Sequence, residues 1–264
     1  MRLNSVVILK IMKKNNKYLS YDDLAWTEAI ITSPDEYRKE VEPLCKAILD
    51  NSKLKPKTLL HLGCGAGGYD YTFKKYFNVT GVDIGKGMLK AARHLNNDVK
   101  YIYGDMRDIN LKSKFDIVAI PDSIGYMTSV QDLRKTINTA YSHLKIDGIL
   151  LIVAHMRENF KENNFVYTGS KNDIDITIFE NNFITNKTNY EATIIYLIRC
   201  KKKLQIFTDV HTLGLFNSSI WDNLLKKTGF SIKKFNAENI YDNYILQDGE
   251  YPQIMFVCKK LKSR

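Results

Sequence analysis

The stretch from residue 57 to residue 84, KTLLHLGCGAGGYDYTFKKYFNVTGVDI, constrains the fold of this chain more than any other feature. An apolar run, Thr58 to Leu62, predicts a buried strand that breaks into a glycine-rich turn over residues 63–68. A helical segment follows, and a second strand, Phe77 to Val82, ends at Asp83. Such a turn lets a ligand approach the backbone at a helix N-terminus, and the acid can accept hydrogen bonds from a ribose. The pattern predicts a nucleoside-binding βαβ unit.

Strands and helices alternate along the first part of the chain. Ser33 is a helix N-cap, followed by Pro34 at the first helical position, and this helix is expected to run to about Asp50. After the glycine turn, the predicted elements are a helix from Gly85 to Leu95, strands Val99–Tyr103 and Phe115–Ile120, a helix from Val130 to Leu144 and a strand Ile149–Ala154. This alternation predicts a parallel sheet with helices on both faces.

The pattern changes after the fifth strand. Three β-rich runs are predicted as strands, at Asp173–Phe179, Thr193–Ile198 and Leu204–His211, with turns at Asn181-Asn182 and Asn186-Lys187. A helix after Ser219 that stops at Gly229 is then followed by two strands, near Ser231–Phe235 and Gln253–Lys259. This return to alternation indicates that an antiparallel segment is inserted into an α/β domain.

The predicted fold class is therefore α/β: a Rossmann-like, doubly wound, mostly parallel seven-stranded sheet with an antiparallel β-rich insertion after the fifth strand. The predicted division has three parts. Residues 1–56 form an N-terminal extension with helices, residues 57–163 and 213–264 form the core, and residues 164–212 form the insertion that caps a substrate. The run from Tyr21 to Trp26 is expected to belong to another short helix.

The net charge and the spacing of the cysteines narrow the kinds of ligand and partner that are expected. The 264 residues carry a formal charge of +10, but the lysines are scattered in short clusters, which favours a solvated surface over a nucleic-acid groove. The four cysteines lie far apart, so neither a metal site nor a disulfide framework is expected, and reduced thiols in the cytoplasm are the default. The apolar run Val6 to Met12 is too short to span a membrane.

The glycine turn alone fits two cofactors. Gly63-x-Gly65-x-x-Gly68 matches the dinucleotide fingerprint, and Tyr141 with Lys145 has the spacing of a short-chain dehydrogenase pair. That pair, however, precedes the fifth strand, whereas the dehydrogenases place theirs on the following helix. A partly packed helix face explains Tyr141 better.

The residues that follow the later strands distinguish a dinucleotide from the other cofactor that this turn fits. Asp105 and Met106 follow the third strand, where a carboxylate can accept a hydrogen bond from an adenine amine while Met106 packs on the ring. With the glycine turn, Asp83, Pro121-Asp122-Ser123 and Asp147-Gly148, the chain resembles the class I S-adenosylmethionine-dependent methyltransferases over residues 57–155. One departure is His61, which stands where many members have an acid, and a buried core histidine is an equally good explanation.

The resemblance implies that S-adenosylmethionine is the cofactor and S-adenosylhomocysteine its product. It places the methionine part against residues 63–67, the ribose on Asp83 and the adenine at Asp105. Tyr21 and Trp26 are expected to form a lid, with hydrophobic anchoring as the alternative. The expected cofactor-binding residues are Tyr21, Trp26, Gly63, Cys64, Gly65, Asp83, Ile84, Asp105, Met106, Pro121 and Asp122.

A weaker resemblance narrows the function. The N-terminal tyrosines, the run Asp122 to Tyr126 and the insertion are similar to amino-sugar N,N-dimethyltransferases and glycine N-methyltransferase-like enzymes. This implies methyl transfer to an N or O atom of a small polar metabolite, by a monomer or homodimer. The candidate bases or orienters are Tyr126, His155 and His211. An RNA or protein methyltransferase and a non-catalytic cofactor-binding regulatory protein stay as alternatives, although the chain lacks the Pro-Pro-aromatic run and the nucleophilic cysteine of nucleic-acid enzymes.

Overall fold

The computed structural model describes residues 18–237, 244–246 and 249–262, and its elements follow the predicted alternation. The α-helices are α1 Glu28–Ile31, α2 Pro34–Asn51, α3 Gly68–Phe73, α4 Lys86–Leu95, α5 Val130–His143 and α6 Ser218–Thr228. The core strands are β1 Thr58–Leu62, β2 Asn78–Asp83, β3 Lys100–Tyr103, β4 Phe115–Pro121, β5 Leu144–Ala154, β10 Phe230–Asn236 and β11 Ile254–Lys260. The insertion strands are β6 Asn164–Lys171, β7 Ile174–Ile184, β8 Asn189–Cys200 and β9 Lys203–Gly214.

Seven strands form the larger sheet, in the order β10-β11-β5-β4-β1-β2-β3. The pairs among β1 to β5 are parallel, whereas β11 pairs antiparallel with both β5 and β10. The strand order reverses between β1 and β4, which is where open α/β sheets bind ligands at the carboxyl ends of their strands. The predicted Rossmann-like, doubly wound fold is confirmed.

Helices cover both faces of this sheet. One face packs the apolar sides of α5 and α6 against alternate residues of β1, β4 and β5, with Leu133, Ile137 and Trp221 buried there. The other face packs α2 and α3 against the intervening residues of the same strands. Burial on both faces explains why β1 and β4 read as continuous apolar runs.

Local capping signals fix the helix limits. The Ser33 side chain accepts from the Glu36 N–H and the Glu36 carboxylate accepts from the Ser33 N–H, so the predicted capping box is present at the start of α2. Gly229 ends α6 with a φ of 105°, a left-handed conformation that favours glycine. These two boundaries agree with the sequence-based prediction.

The insertion differs from its prediction in detail. It is an antiparallel sheet of four strands, β6-β7-β8-β9, so the sequence analysis missed β6. The turn predicted at Asn181-Asn182 is wrong, because both residues lie inside β7 and pair with Thr193 and Ala192. Asn186-Lys187 does lie in the turn between β7 and β8. The division into three parts stays a prediction.

The N-terminal segment from residue 18 to residue 31 lies between the two sheets. It consists of two 3₁₀ turns, Leu19–Tyr21 and Ala25–Thr27, followed by α1. Leu24 packs in an apolar cluster with residues of β7 and β8 on the inner face of the antiparallel sheet. On its other side, the backbone of Tyr21 and Asp22 touches Gly85 and Gly87 at the start of α4. The segment therefore covers the edge at which β2 ends.

Candidate functional site

The glycine turn forms one wall of the candidate site. Gly63, Gly65 and Gly67 all have positive φ, at 76°, 54° and 79°. A Cβ added at Gly63 would lie 2.3 Å from Ser123 Oγ, so the turn after β4 packs directly on this glycine. At Gly65, by contrast, an added Cβ would meet nothing within 4 Å. The open side of Gly65 leaves room for a ligand to approach the backbone.

Asp83, at the end of β2, holds this turn in place. Its Oδ2 accepts from the Gly65 N–H at 2.8 Å, and its Oδ1 accepts from the Gly85 N–H at 2.7 Å. Burial raises the pKa of Asp83, while these two backbone donors oppose the shift. Each oxygen keeps a further acceptor site that could meet a ribose hydroxyl. Ile84, beside it, is 58% exposed, an apolar surface against which a ring could pack.

Asp105 and Met106 occupy the positions expected after β3. The terminal methyl of Met106 approaches the glycine turn, since its Cε would lie 2.9 Å from a Cβ at Gly63. The Asp105 carboxylate accepts two hydrogen bonds from Nε of Arg107 and one from its terminal nitrogen, at 2.5–3.0 Å. Burial would raise the pKa of Asp105, but Arg107 lowers it. If Asp105 contacts adenine, its carboxylate is therefore shared between adenine and Arg107.

The residues that follow β4 lie at the same edge of the sheet. Pro121 ends β4, and Asp122 has a φ of 64°, a conformation that non-glycine residues rarely adopt and that is found at functional sites. Its Oδ1 accepts from Nε2 of Gln253 at 3.1 Å. Asp122 is exposed, and the next residue, Ser123, donates to the Leu62 carbonyl at 3.0 Å. The strained turn thus ties the end of β4 to the end of β1.

His155, the residue after β5, is buried and held at both ring nitrogens. Nδ1 lies 3.0 Å from the Pro252 carbonyl and Nε2 lies 3.2 Å from the Gln253 amide nitrogen. Its ring also packs on Tyr251, with a centroid distance of 4.1 Å. Burial lowers the pKa of His155 to about 4, so the imidazole is neutral near pH 7. A neutral ring fits a donor at Nδ1 and an acceptor at Nε2.

A second histidine belongs to a hydrogen-bonded chain. His211, on β9, lies 2.6 Å by Nδ1 from the Tyr126 hydroxyl and 2.9 Å by Nε2 from Asp209 Oδ2. The Tyr126 hydroxyl also bonds to the Tyr21 hydroxyl. Asp209 accepts from the backbone and the hydroxyl of Ser20 at 2.9 and 2.8 Å. The chain therefore links a carboxylate, an imidazole and two phenols across three elements.

The N-terminal aromatic residues differ in their positions. Tyr18 stacks on the His211 ring at a centroid distance of 4.0 Å, and Tyr21 lies between Gly85 and Tyr126. Trp26 is 42% exposed, on the 3₁₀ turn that packs against α4. The structure thus brings Tyr21 to the site and places Trp26 at its rim. Their role as a lid stays a prediction.

His61 is a buried histidine. It lies in the middle of the sheet on β1, where its Cα is paired with both Gly81 and Ala119. Its Nδ1 donates to Asp70 Oδ1 at 2.7 Å, and Asp70 on α3 is completely buried. The two side chains fasten the strand before the glycine turn to the helix after it. Cys64, in the turn itself, is buried too, and burial raises the pKa of its thiol.

Several residues of the site were missed by the sequence analysis. Asp209 could have been found, because residues two apart in a strand share a face and His211 was already a candidate. Ser20 and Gln253 carried no such signal, since they reach the site from remote parts of the chain. Glu180 was also missed, and it lies on the inner face of β7.

Neither a metal-binding cluster nor a membrane-spanning helix is found among the described residues. In residues 18–237, 244–246 and 249–262, no group of three or more His, Cys, Asp or Glu side chains is arranged to hold a metal ion. Within the same residues, no helix is both long and apolar enough to cross a membrane. The four cysteines are all free thiols, of which only Cys200 is exposed.

The residues present fit a nucleoside with a short charged extension. The open space at Gly65 admits the ligand to the backbone, Asp83 offers acceptors to a ribose, and the exposed Ile84 offers an apolar surface to a base. The hydrogen-bonded phenols of Tyr21 and Tyr126 lie nearby, because the Tyr21 backbone approaches Gly85 beside Asp83. This arrangement has polar acceptors at one end and aromatic hydroxyls at the other.

Comparison with known proteins agrees with this arrangement. Residues 60–152 match a family model described as a methyltransferase domain. A dTDP-3-amino-3,4,6-trideoxy-α-D-glucopyranose N,N-dimethyltransferase of Streptomyces venezuelae is 23% identical over 180 residues, which cover 67% of this chain and 76% of the relative. These matches indicate that the glycine turn is that of a methyltransferase and not that of a dehydrogenase.

Two solved structures share the fold. The sugar N-methyltransferase KedS8 of Streptoalloteichus has a TM-score of 0.78 at 18% identity and covers 99% of both chains. The amino pentose methyltransferase CalS10 of Micromonospora echinaspora, solved with S-adenosylmethionine bound, has a TM-score of 0.72 at 19% identity and covers 94% of this chain and 99% of its own. These two structures show that the fold is shared. The methyltransferase-domain match and the site that fits the donor identify this chain as a class I S-adenosylmethionine-dependent methyltransferase, similar in sequence to amino-sugar N,N-dimethyltransferases.

Proposed function

We propose that this enzyme transfers a methyl group from S-adenosylmethionine to an amine nitrogen of a small polar metabolite. The observation that carries the proposal is the hydrogen-bonded chain from Asp209 through His211 to Tyr126. It ends beside Tyr21, which also touches Gly85 next to the candidate ribose acceptor Asp83. A proton acceptor therefore stands close to the place where the donor is expected to end.

The proposed chemistry needs little from the protein beyond alignment and one proton transfer. When bound, S-adenosylmethionine supplies a methyl group on a sulfonium: its C–S bond breaks as the C–N bond forms, and the electron pair stays on sulfur in S-adenosylhomocysteine. Tyr126 and Tyr21 position the attacking nitrogen, and the N-terminal segment 18–31 excludes water. An ammonium acceptor first gives a proton to the Tyr126 oxygen, as the phenolic proton moves to Nδ1 of His211.

Asp209 supports this proton transfer. Its carboxylate accepts from Nε2–H of His211, which leaves Nδ1 as the acceptor that faces Tyr126. Burial would raise the pKa of Asp209, but hydrogen bonds from His211 and Ser20 lower it, so the carboxylate stays charged. A charged Asp209 stabilises the imidazolium that forms when His211 takes the proton.

His155 has a different part in the proposal. Both of its ring nitrogens have partners, and its lowered pKa makes it a poor base at neutral pH. Through Gln253 it orients the Asp122 carboxylate. We therefore treat His155 as a positioning residue and His211 as the base.

The nitrogen acceptor is preferred over oxygen for a chemical reason. An ammonium that has given one proton to the base becomes a neutral amine and then attacks without further base help, whereas a hydroxyl must lose its proton during the attack itself. The relatives named as sugar N-methyltransferases point the same way. The metabolite, the acceptor atom, the cytoplasmic location and the monomeric or homodimeric state are predictions.

The experiment is a transfer assay with methyl-labelled donor and a pool of small amines, amino sugars and their hydroxyl counterparts. Mass spectrometry identifies the methylated atom. The proposal predicts N-methylated products that disappear in His211→Gln but persist in His94→Gln, a matched change of an exposed histidine on α4. O-methylated products alone, or labelling of RNA or protein in place of small molecules, would contradict it.

A further inference from the structure

An acidic side chain faces the space between the two sheets. Glu180 lies on β7 between Ile178 and Asn182, which are two residues away on either side and both buried. Because side chains alternate along a strand, Glu180 shares their inward-facing side. The opposite face of β7 carries the exposed residues Phe179 and Asn181. Glu180 therefore points from the insertion toward the core and not toward bulk solvent.

The neighbours of Glu180 are phenols, apolar groups and the Asn182 amide, which hydrogen-bonds to the carboxylate. Its Oε2 lies 3.5 Å from the Tyr167 hydroxyl, and its register partners are Phe165 on β6 and Ile194 on β8. Tyr251 packs on Phe165 at a centroid distance of 4.9 Å. Among the described residues, no lysine, arginine or histidine forms a salt bridge with Glu180.

A second carboxylate acts on the same space. Burial first, and then the nearby charge of Asp122, raise the pKa of Glu180 to about 7. The charges of Asp122 and Glu180 also raise the pKa of Tyr190 and of Tyr251, which burial has already raised. The charges of two carboxylates thus act on the same two phenols, in a chain whose formal charge is +10.

A half-buried carboxylate without a cationic partner is costly unless a ligand provides one. A cation there would gain charge-assisted hydrogen bonds from the carboxylate and cation–π contacts from the surrounding phenol rings. An anionic ligand group would instead lose its hydration and meet like charge. Such surroundings favour a cation over an anion.

We propose that the acceptor enters as an ammonium ion and that Glu180 is the residue that recognises its charge. The inference rests on the proposed amine methyltransferase function and adds a substrate class to it: a cationic amine. Packing connects the two ideas, because Phe165, the register partner of Glu180, packs on Tyr251, which packs on His155. Gln253 links His155 to Asp122, so the recognised ammonium lies toward the turn that carries Asp122 and Tyr126.

The test compares cationic probes with neutral molecules of the same shape. D-glucosamine is paired with D-glucose, and 1,5-diaminopentane with 1,5-pentanediol. Binding of each to the full-length protein loaded with S-adenosylhomocysteine is measured by calorimetry at pH 8, where Glu180 is ionised. The variants are Glu180→Gln and, as a matched control, Glu42→Gln on the exposed face of α2.

In the wild type and in Glu42→Gln, the cation of at least one pair is expected to bind about tenfold more tightly than its neutral partner, the scale of one charge-assisted hydrogen bond. Glu180→Gln is expected to lose most of this preference. Equal affinity for the two members of each pair, or no binding of either member, would overturn the proposal. So would a preference that survives in Glu180→Gln.

Two further measurements, donor binding and methyl transfer, distinguish recognition of the acceptor by Glu180 from other roles of this residue. If Glu180 instead serves the donor sulfonium, Glu180→Gln weakens binding of S-adenosylmethionine but not of S-adenosylhomocysteine, and that result also overturns the proposal. Methyl transfer is followed in the same samples. Cation selectivity that depends on Glu180 without any methyl transfer supports the role of Glu180 and counts against the proposed function. Methyl transfer to an amine without any preference for the cationic probes supports the proposed function and counts against the role of Glu180.

Discussion

The hydroxyl of Tyr126 lies 2.6 Å from Nδ1 of His211, although one residue follows β4 of the core and the other lies on β9 of the antiparallel sheet. This bond joins the two sheets at the edge where ligands bind. It also fixes the tautomer of His211, because Asp209 accepts from the other ring nitrogen. In the proposed mechanism the insertion therefore supplies the base, His211, and the carboxylate that supports it, Asp209.

Replacing Asp83 with alanine should weaken donor binding. The carboxylate orders the glycine turn through the Gly65 and Gly85 amides, and its loss leaves these donors without their partner. We expect a loss of about 1–3 kcal/mol in S-adenosylmethionine affinity, measured by calorimetry. Asp98→Ala, at an exposed acid, is the matched control. Unchanged affinity in Asp83→Ala would refute the assignment.

His155 should make the fold sensitive to acid. Its pKa is about 4 in the folded protein and near 6.5 when unfolded, because burial disfavours the imidazolium. As the pH falls from 6.5 to 4, the unfolded state gains a proton that the folded state does not. The free energy of unfolding should then fall by about 2–3 kcal/mol. Denaturant titrations of His155→Gln should show a shallower loss over this range, and an identical loss would contradict the assignment.

Glu180 should affect stability in the opposite sense. Its pKa is raised to about 7, mainly by burial, so the unfolded state ionises first as the pH rises above 4.5. The folded protein therefore loses stability between pH 4.5 and 7. Glu180→Gln should unfold at a higher denaturant concentration than the wild type at pH 8, with little difference at pH 4. Glu42→Gln should behave like the wild type, and a destabilised Glu180→Gln at pH 8 would argue against this environment.

Much of the core could be predicted because local and global signals agree there. The buried strands β1 and β4 read as apolar runs, and Ser33 and Gly229 fixed helix ends through their own side chain and backbone preferences. The start of β5 was predicted at Ile149, but it begins at Leu144, because the strand continues through Asp147 at a φ of 61°. The adjacent Asp147 and Gly148 had instead suggested a turn that ends before the strand begins.

The insertion and the acceptor end of the site were harder to predict. Asn181-Asn182 has the composition of a turn, but Asn182 is buried and its amide bonds to the Tyr251 hydroxyl, so tertiary contacts override the local preference. Sequence spacing could pair Asp209 with His211, yet it could not bring Ser20 to Asp209 or Gln253 to Asp122 and His155. Those contacts exist only once the N-terminal segment packs against the insertion and β11 pairs with β5.

The most direct test of the central claim is the rate of methyl transfer to an amine acceptor, at saturating donor, in His211→Gln compared with His94→Gln. If His211 accepts the proton through Tyr126, the rate in His211→Gln should fall by about 10²–10⁴-fold while donor affinity is unchanged. Tyr126→Phe should show a similar loss. Transfer by His211→Gln at the rate of His94→Gln would contradict the account.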